Sequence, residues 1–170
     1  MPHKKNLDTG NPIPFELVYA SKDYKEIIKN LMQFYVYDFS EYIDCDVEEN
    51  GLYKAYSNLE DYWKDENYKF PYIISQAGKL VGFSLVDKCK SPENYFSIAE
   101  FFIMKKYRRK GVGKGVAKQL FSIYKGDWQV HQRENNIAAQ EFWKTVIGEY
   151  TSGKFTERLK HGRKIENFTS

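Results

Sequence analysis

The apolar positions in the first part of the chain change from a strand-like to a helical period. Residues 14–20 (PFELVYA) are predicted to form a strand, and Asp23 followed by Glu26 has the spacing of a capping box at a helix start. Large apolar side chains then recur every three or four positions over residues 22–42, on one face of a predicted amphipathic helix, at Tyr24, Ile27, Ile28, Leu31 and Phe34. The same capping spacing opens a second predicted helix over residues 57–68.

From residue 70 the period shortens to two, which is typical of strands. Residues 70–88 predict a β-hairpin that turns at Ala77-Gly78-Lys79. Residues 95–104 (YFSIAEFFIM) predict a further strand, apolar on both faces near its end as a central strand is. The middle of the chain is therefore predicted to supply three strands of one sheet.

The last part of the chain returns to helices alternating with strands. Apolar side chains at helical spacing predict helices over residues 113–125 and 136–147. A short strand is predicted between them, over residues 127–132. A hairpin is predicted over residues 149–159 with Ser152-Gly153 at its turn, followed by a last strand over residues 163–168. This order of elements predicts the α/β (α+β) class, with one domain built on a mixed central β-sheet flanked by helices.

Length and composition restrict the class of protein. The 170 residues fit one globular domain; we assign residues 14–170 to it and residues 1–13 to an N-terminal lead-in without the apolar core of a secretory signal. No apolar run approaches the roughly 20 residues of a membrane span. Cys45 and Cys89 form neither a disulfide framework nor a zinc motif. These features predict a reduced, cytoplasmic protein with no metal site and no membrane partner.

The net charge of +3 conceals an asymmetry along the chain. Residues 38–66 are rich in Asp and Glu, whereas Lys and Arg outnumber them from Lys105 onward. A chain of this kind could meet two partners of opposite charge. The alternative, two ordinary solvated faces, stays open on charge alone.

Residues 107–115 (YRRKGVGKG) place four cations and three glycines between a predicted strand and a predicted helix. The backbone N–H groups of a helix's first turn lack partners and lie at the positive end of its dipole. Glycines remove the Cβ atoms that would keep a ligand away from the backbone. The segment therefore predicts a site for an anion with several oxygens, such as a pyrophosphate. It matches neither the P-loop pattern nor the dinucleotide-binding G-x-G-x-x-G pattern.

Residues 108–113 do fit the pattern R-x-x-G-x-G. On this pattern the chain resembles the GCN5-related N-acetyltransferase (GNAT) superfamily, whose signature Q/R-x-x-G-x-G/A lies between a long strand and a helix. The preceding EFFIMKKY and a later match to the family's N-x-x-A-x-x-[LF]-[YW] helix extend the resemblance over residues 15–168, the later match being carried by Asn136, Ala139, Phe142 and Trp143. The resemblance implies the family's fold, with two splayed central strands, and acetyl-CoA as the cosubstrate.

The resemblance also implies which residues meet acetyl-CoA. In the family the pantetheine arm lies between two central strands, here residues 100–104 and 127–132, and the loop amides hold the pyrophosphate. The cofactor-binding residues carried over to this chain are the backbone of Phe102, Ile103 and Met104, the loop residues Arg108, Arg109, Lys110, Gly111, Val112, Gly113 and Lys114, and the side chain of Asn136.

Glu100 is the predicted catalytic residue. An alkyl ammonium has a pKa of about 10.4, so an amine acceptor needs a proton acceptor at neutral pH. Glu100 precedes the apolar FFIM on the central strand, as an acidic residue does in the polyamine and aminoglycoside acetyltransferases that this segment resembles. Its alternative roles are to bind the ammonium charge, to face solvent or to pair with a lysine. His131 on the neighbouring strand is a second, weaker candidate for proton transfer.

The general acid is where the chain departs from the family. Many members carry Tyr at the position of Trp143, and an indole N–H cannot protonate a thiolate. We therefore assign no acid and interpret Trp143 as a packing residue. The departure keeps open an alternative function, a non-catalytic acyl-CoA-binding module of the same fold.

The predicted activity is acetyl transfer from acetyl-CoA to a small cationic amine, by direct attack of the amine. The acidic residues 38–66 would attract such an acceptor, and tyrosine rings can hold its charge. Nucleic-acid binding through the basic loop is the third interpretation, but no nucleic-acid-binding motif is visible and we predict no nucleic-acid partner. The resemblance also allows a homodimer.

Overall fold

The computed structural model of the protein describes residues 14–90 and 94–170. The predicted lead-in, residues 1–13, lies outside the described residues. The described elements form one seven-stranded mixed sheet with helices on both faces, which confirms the predicted fold class. Within these two ranges no helix is long and apolar enough to cross a membrane.

The strands lie in the order β1-β2-β3-β4-β5-β7-β6. Their bounds are β1 Glu16–Tyr19, β2 Lys69–Gln76, β3 Lys79–Cys89, β4 Tyr95–Ile103, β5 Asp127–Arg133, β6 Thr156–Lys160 and β7 Arg163–Thr169. The α-helices are α1 Lys25–Phe39, α2 Val112–Ile123 and α3 Ile137–Thr151. All neighbouring strands are antiparallel except β4 and β5.

The parallel pair β4 and β5 is joined at one point of the ladder, Phe96 with Trp128. Beyond this point the two strands run on without pairing, which opens a gap in the centre of the sheet on the side of their carboxyl ends. The predicted splayed central strands are therefore present. Backbone polar groups that face such a gap need another partner, either water or a ligand.

Two apolar clusters hold the helices against the sheet. The first lies under α2 and α3, where Val116, Leu120 and Phe121 pack with Trp128 and Phe168. The second lies under α1 on the opposite face of the sheet. The sheet is thus covered by helices on both sides of β4, the strand that carries Glu100.

Three local predictions for the first half of the chain are wrong. Residues 57–68 contain only a 3₁₀ turn, Leu59–Trp63, because its aromatic side chains are anchored elsewhere: the Tyr62 hydroxyl donates to Asp87 at 2.5 Å and the Trp63 indole donates to the Ala20 carbonyl at 2.9 Å. The predicted capping box at Asp23 makes no side-chain cap hydrogen bond. Helix α1 ends at Phe39 rather than at residue 42.

The predicted hairpin over residues 149–159 is also wrong. Helix α3 continues to Thr151, and Ser152 and Gly153 end it with left-handed φ angles of 54° and 80°. A serine-glycine pair is a helix-ending signal as well as a turn signal, and the sequence pattern alone did not separate the two. The hairpin lies further on, between β6 and β7, where His161 and Gly162 have φ angles of 50° and 69°.

Candidate active site

A β-bulge in β4 sets the direction of the Glu100 side chain. Leu85 of β3 pairs with Glu100, but the next residue, Val86, pairs with Ile98, so Ala99 is the extra residue. Side chains alternate along a regular strand, and Ile98 lies in the cluster under α2 and α3. Regular alternation would bury Glu100 in that same apolar cluster. The bulge instead turns its carboxylate to the opposite face, toward α1.

The Glu100 carboxylate is partly buried and held by tyrosines. The Tyr35 hydroxyl on α1 donates a hydrogen bond to its Oε2, and the Tyr56 hydroxyl acts on the same carboxylate. Burial raises the pKa of Glu100 above its ordinary value of 4.5, and the two tyrosine hydroxyls offset part of this rise. Burial, followed by the nearby Glu100 charge, raises the pKa of Tyr35 and of Tyr56, so both stay hydrogen-bond donors at neutral pH.

Two alternative roles of Glu100 do not match this environment. It does not face open solvent, and none of the salt bridges in the described ranges includes it. Arg163 of β7 acts on it only at longer range. A carboxylate with a raised pKa, placed beside a gap, is a stronger proton acceptor than one with the ordinary value.

The end of β4 lies beside the gap between the central strands. The Met104 N–H donates to the Val81 carbonyl at 2.8 Å, and the Ile103 carbonyl accepts from Arg108 Nε at 2.5 Å. The Met104 carbonyl also accepts, from the Tyr107 N–H at 2.8 Å, and Phe102 and Ile103 pair with Phe83 and Gly82 of β3. Most backbone groups of the predicted segment Phe102 to Met104 are therefore already used within the chain.

The glycine turn joins β4 to α2 as the sequence predicts. Arg109 and Gly111 have φ angles of 60° and 81°, and Gly111 is the N-cap of α2 without a side-chain cap. In the part of the chain that the structure describes, the backbone N–H groups of Val112, Gly113 and Lys114 have no hydrogen-bond acceptor. These three groups point out of the helix's positive end and form a ready anion site.

The second glycine of the turn leaves room for a small side chain. A Cβ on Gly113 would meet Ile103 and the Phe142 ring, each at 3.5 Å, which is ordinary contact. A small side chain therefore fits at Gly113, whereas a glutamate would add a negative charge beside the free N–H groups.

The cations of the loop divide into two kinds. Arg108 forms an ion pair with Asp38 at the end of α1 and lies 5.6 Å from the Phe102 ring centre, so it fixes the loop to α1. Lys114 pairs with Glu149 of α3 at 2.7 Å. Arg109 and Lys110 are exposed and form no ion pair with any described residue. The side chains of Arg109 and Lys110 are therefore the ones left to meet phosphate groups.

The sequence profile of the acetyltransferase (GNAT) family matches residues 29–148, which include α1, the central strands and the glycine turn. The chain belongs to this family. The match confirms the predicted family and the predicted enzyme class, an N-acetyltransferase, at the level of the family. No curated protein matches the chain in sequence.

Solved GNAT structures share the fold at low sequence identity. An acetyltransferase from Thermus thermophilus superimposes with a TM-score of 0.65 at 11% identity, covering 92% of this chain and 97% of that one. The PaiA N-acetyltransferase from Thermoplasma acidophilum, solved with coenzyme A, gives 0.62 at 12%, covering 92% and 99%. The spermidine N-acetyltransferase from Vibrio cholerae, solved with CoA and spermine, gives 0.59 at 13%, covering 90% and 92%.

The helix that carries the GNAT family's second match, α3, uses its polar and aromatic residues for structure. Asn136 is buried and its Oδ1 accepts from the Ala139 N–H at 3.0 Å, which caps α3. Its carboxamide nitrogen has no protein partner in the described ranges and stays available to a ligand. Trp143 is 6% exposed and packs edge-on against Phe101, with ring centres 5.1 Å apart. This packing agrees with the structural role predicted for Trp143.

His131 lies on the same face of the sheet as Glu100 but is not joined to it. It pairs across β5 and β7 with Ile165, and no hydrogen bond between His131 and Glu100 is present in the described structure. Burial, followed by the charges of Arg163 and Arg158, lowers the pKa of His131, so its imidazole is neutral at pH 7.

Sequence reasoning missed the groups that surround Glu100. The predicted apolar face of α1 ended on Phe34, which is 56% exposed. The buried face runs through Ile28, Leu31 and Met32, and Tyr35 lies seven residues after Ile28 on that face. The available signal was therefore a tyrosine at helical spacing from an apolar stripe. Nothing in the sequence signalled Tyr56 or Arg163.

Proposed function

We propose that this GNAT protein transfers the acetyl group of acetyl-CoA to the primary amine of a small molecule that arrives as an ammonium ion. The observation that carries the proposal is the Glu100 carboxylate, turned out of the apolar core by the bulge at Ala99 and held by Tyr35 beside the gap in the sheet. A strand carboxylate needed only for folding would not require a bulge that exposes it to the gap.

The gap and the glycine turn together suit an extended acyl-CoA. The free N–H groups at the start of α2 would hold its pyrophosphate, with Arg109 and Lys110 at the rim. The unpaired backbone beside β5 would bind its pantetheine arm, and the Asn136 carboxamide nitrogen would donate a hydrogen bond to it. The predicted cofactor set Phe102 to Met104 and Arg108 to Lys114 is retained here, with Arg108 and Lys114 contributing backbone and position rather than free side-chain charge.

Glu100 supplies the chemistry that an ammonium acceptor requires. The amine nitrogen bonds to the carbonyl carbon as the carbon–sulfur bond breaks. The ammonium group loses two protons overall, of which one ends on the CoA thiol and one leaves to solvent. At pH 7 the first deprotonation costs about 4.6 kcal/mol, from a pKa about 3.4 units above the solution pH. A carboxylate with a raised pKa, such as Glu100, is suited to accept that proton.

The entry side of the site fits an amine with a positive charge. The loop after α1 contacts the turn between β5 and α3, where Asn135 Nδ2 donates to the Tyr42 carbonyl at 3.1 Å. The same loop carries the exposed acidic residues Asp44, Asp46, Glu48 and Glu49. Asp38 does not belong to this group because it holds Arg108. The spermine-bound neighbour from Vibrio cholerae supports an amine acceptor.

The test is CoA release from acetyl-CoA with a panel of primary amines, with the acetylated amine identified by mass. We expect equal amounts of free CoA and acetylated amine, and loss of both in a Gly113→Glu variant, whose carboxylate would repel the phosphates. Gly113→Ala is the matched control because a Cβ meets only ordinary contacts there. Tight acetyl-CoA binding without CoA release for any amine would instead support the non-catalytic acyl-CoA-binding module.

A further inference from the structure

The half of the sheet formed by β5, β7 and β6 carries a row of cations on the face of Glu100. Register places His131 opposite Ile165 and Ile165 opposite Arg158, so these three side chains lie in one cross-strand row. The next row consists of Arg133, Arg163 and Lys160. Because side chains alternate along each strand, both rows share one face.

This face is the one that α1 covers further along the sheet. Val130 and Trp128 of β5 pack into the cluster under α2 and α3, so His131, between Val130 and Gln132, points to the opposite face. The bulge turns Glu100 to that same face. The cations and the Glu100 carboxylate therefore lie on the same face of the sheet.

A cleft of about 320 Å³ lies over these rows. Its lining includes the cations Arg158, Lys160 and Arg163 and the histidines His131 and His161, and no carboxylate among the residues that the structure describes. The volume is within the range of small-molecule sites. The cleft is therefore large enough for a metabolite and has one sign of charge.

The cations of the cleft have no salt-bridge partner within residues 14–90 and 94–170. Arg158, Lys160 and Arg163 form no salt bridge with any described residue, whereas other strand lysines do, such as Lys164 with Glu157 at 2.7 Å. Burial, followed by the charges of Arg163 and Arg158, lowers the pKa of His131. Cations gathered in a cleft repel each other and favour an anionic partner.

Arg163 links this cleft to the reaction centre. Its charge acts on Glu100 and on Tyr35 at longer range, and Arg163 lies on the same face of the sheet as Glu100. A small acceptor with its amine at Glu100 would place its other end in the cleft. A second positive charge at that end would meet Arg158, Lys160 and Arg163.

We infer that the acceptor is an amine that also carries an oxyanion group, a carboxylate or a phosphate monoester, and that Arg163 and Arg158 bind this group. The inference rests on the proposed function and narrows its substrate class: the reacting end is cationic and the distal end anionic. Guanidinium groups suit this role because they bind both oxygens of a carboxylate or phosphate. A polyamine acceptor is disfavoured by the same geometry.

The test compares amines that differ only in the distal group. At the distal end, β-alanine carries a carboxylate and O-phosphoethanolamine a phosphate. n-Propylamine and ethanolamine carry no charge at that end, and putrescine carries a second cation there. We expect kcat/KM of wild-type protein to be about tenfold or more higher for one of the two anionic amines than for its uncharged counterpart, as one charge-assisted hydrogen bond gives. Comparison of β-alanine with O-phosphoethanolamine then shows whether the cleft binds a carboxylate or a phosphate.

Variants of the cleft locate the effect. Arg163→Gln and Arg158→Gln should each bring the ratio of kcat/KM for the anionic amine to kcat/KM for its uncharged counterpart close to one, and an unchanged ratio would overturn the inference. Lys154→Gln, an exposed cation outside the cleft, is the matched control and should leave this ratio at its wild-type value. Equal or higher kcat/KM for putrescine would overturn the inference while the proposed function stands.

Failure to acetylate any amine would refute the proposed function alone. A binding measurement keeps the inference testable in that case. The His131 imidazole is followed by NMR as each anionic amine is added without acetyl-CoA. Binding in the cleft should raise the pKa of His131 in wild-type protein and not in Arg163→Gln. No change at His131 would overturn the inference, as would tighter binding of a single-stranded oligonucleotide at the same arginines.

Discussion

Removing the charge of Glu100 should separate activity from stability. In Glu100→Gln the amide keeps an oxygen that can accept from Tyr35 but cannot take a proton from an ammonium group. A positioned general base contributes about 10²–10⁴ in rate, or about 2.7–5.4 kcal/mol. We expect kcat/KM at pH 7 to fall by about 100-fold or more. The deficit should shrink toward pH 10, where solution supplies the neutral amine.

The stability of the same variant should change in the opposite direction. Burial raises the pKa of Glu100, so the folded protein binds this proton more tightly than the unfolded chain does. The contribution of Glu100 to stability is therefore present below its ordinary pKa and is lost as pH rises through the raised value. At pH 7 the ionised, partly buried carboxylate is destabilising. Glu100→Gln should unfold at an equal or higher temperature than wild-type protein at pH 7, and lose this advantage near pH 4.

The assay is a pH series of kcat/KM with one accepted amine, together with thermal unfolding at each pH. Glu16→Gln on the exposed edge strand β1 is the control, because it removes the same charge away from the site. Activity of Glu100→Gln within threefold of wild-type protein at pH 7 would refute the role of Glu100 as base. A large loss of activity at every pH accompanied by a lower unfolding temperature would make the residue structural.

Three further substitutions test the surroundings of the site. Tyr35→Phe removes a hydrogen bond that lowers the pKa of Glu100. The acid limb of the pH profile of kcat/KM should therefore move to higher pH, with kcat/KM at pH 6 down about tenfold. An acid limb at the wild-type position would contradict this. Asp38→Asn removes the ion pair with Arg108 and should lower the free energy of unfolding in urea by about 1 kcal/mol. It should also raise the KM for acetyl-CoA, and an unchanged KM would show that this ion pair does not position the loop for acetyl-CoA. Trp143→Phe should cost about 1–2 kcal/mol of unfolding free energy with kcat within threefold, and a 100-fold loss of kcat would show that the indole takes part in the transfer.

The parts of the fold that rest on local pattern could be predicted from the sequence. The strand over residues 95–104 and the turn before α2 were predicted because alternation and glycine spacing are set within about ten residues. The hairpin after α3 was misplaced because Ser152-Gly153 fits a helix end as well as a turn. The packing of α3 against the core up to Thr151 decides between a helix end and a turn, and this packing is not visible in the local sequence.

The site depended on contacts that no local pattern records. The bulge at Ala99 exists only in the pairing of β4 with β3, and it alone decides which face Glu100 takes. Tyr35 reaches Glu100 from 65 residues away, and Asp38 reaches Arg108 from 70 residues away. The roles of Glu100 and of the loop could therefore be predicted from the sequence, but not the groups that orient them.

Calorimetric titration with acetyl-CoA of wild-type protein, Gly113→Ala and Gly113→Glu tests the central claim most directly. The account predicts micromolar binding by wild-type protein, similar binding by Gly113→Ala, whose Cβ meets only ordinary contacts, and loss of binding by folded Gly113→Glu. Absence of binding by folded wild-type protein, or equal binding by all three proteins, would contradict the claim that the amides at the start of α2 hold acetyl-CoA.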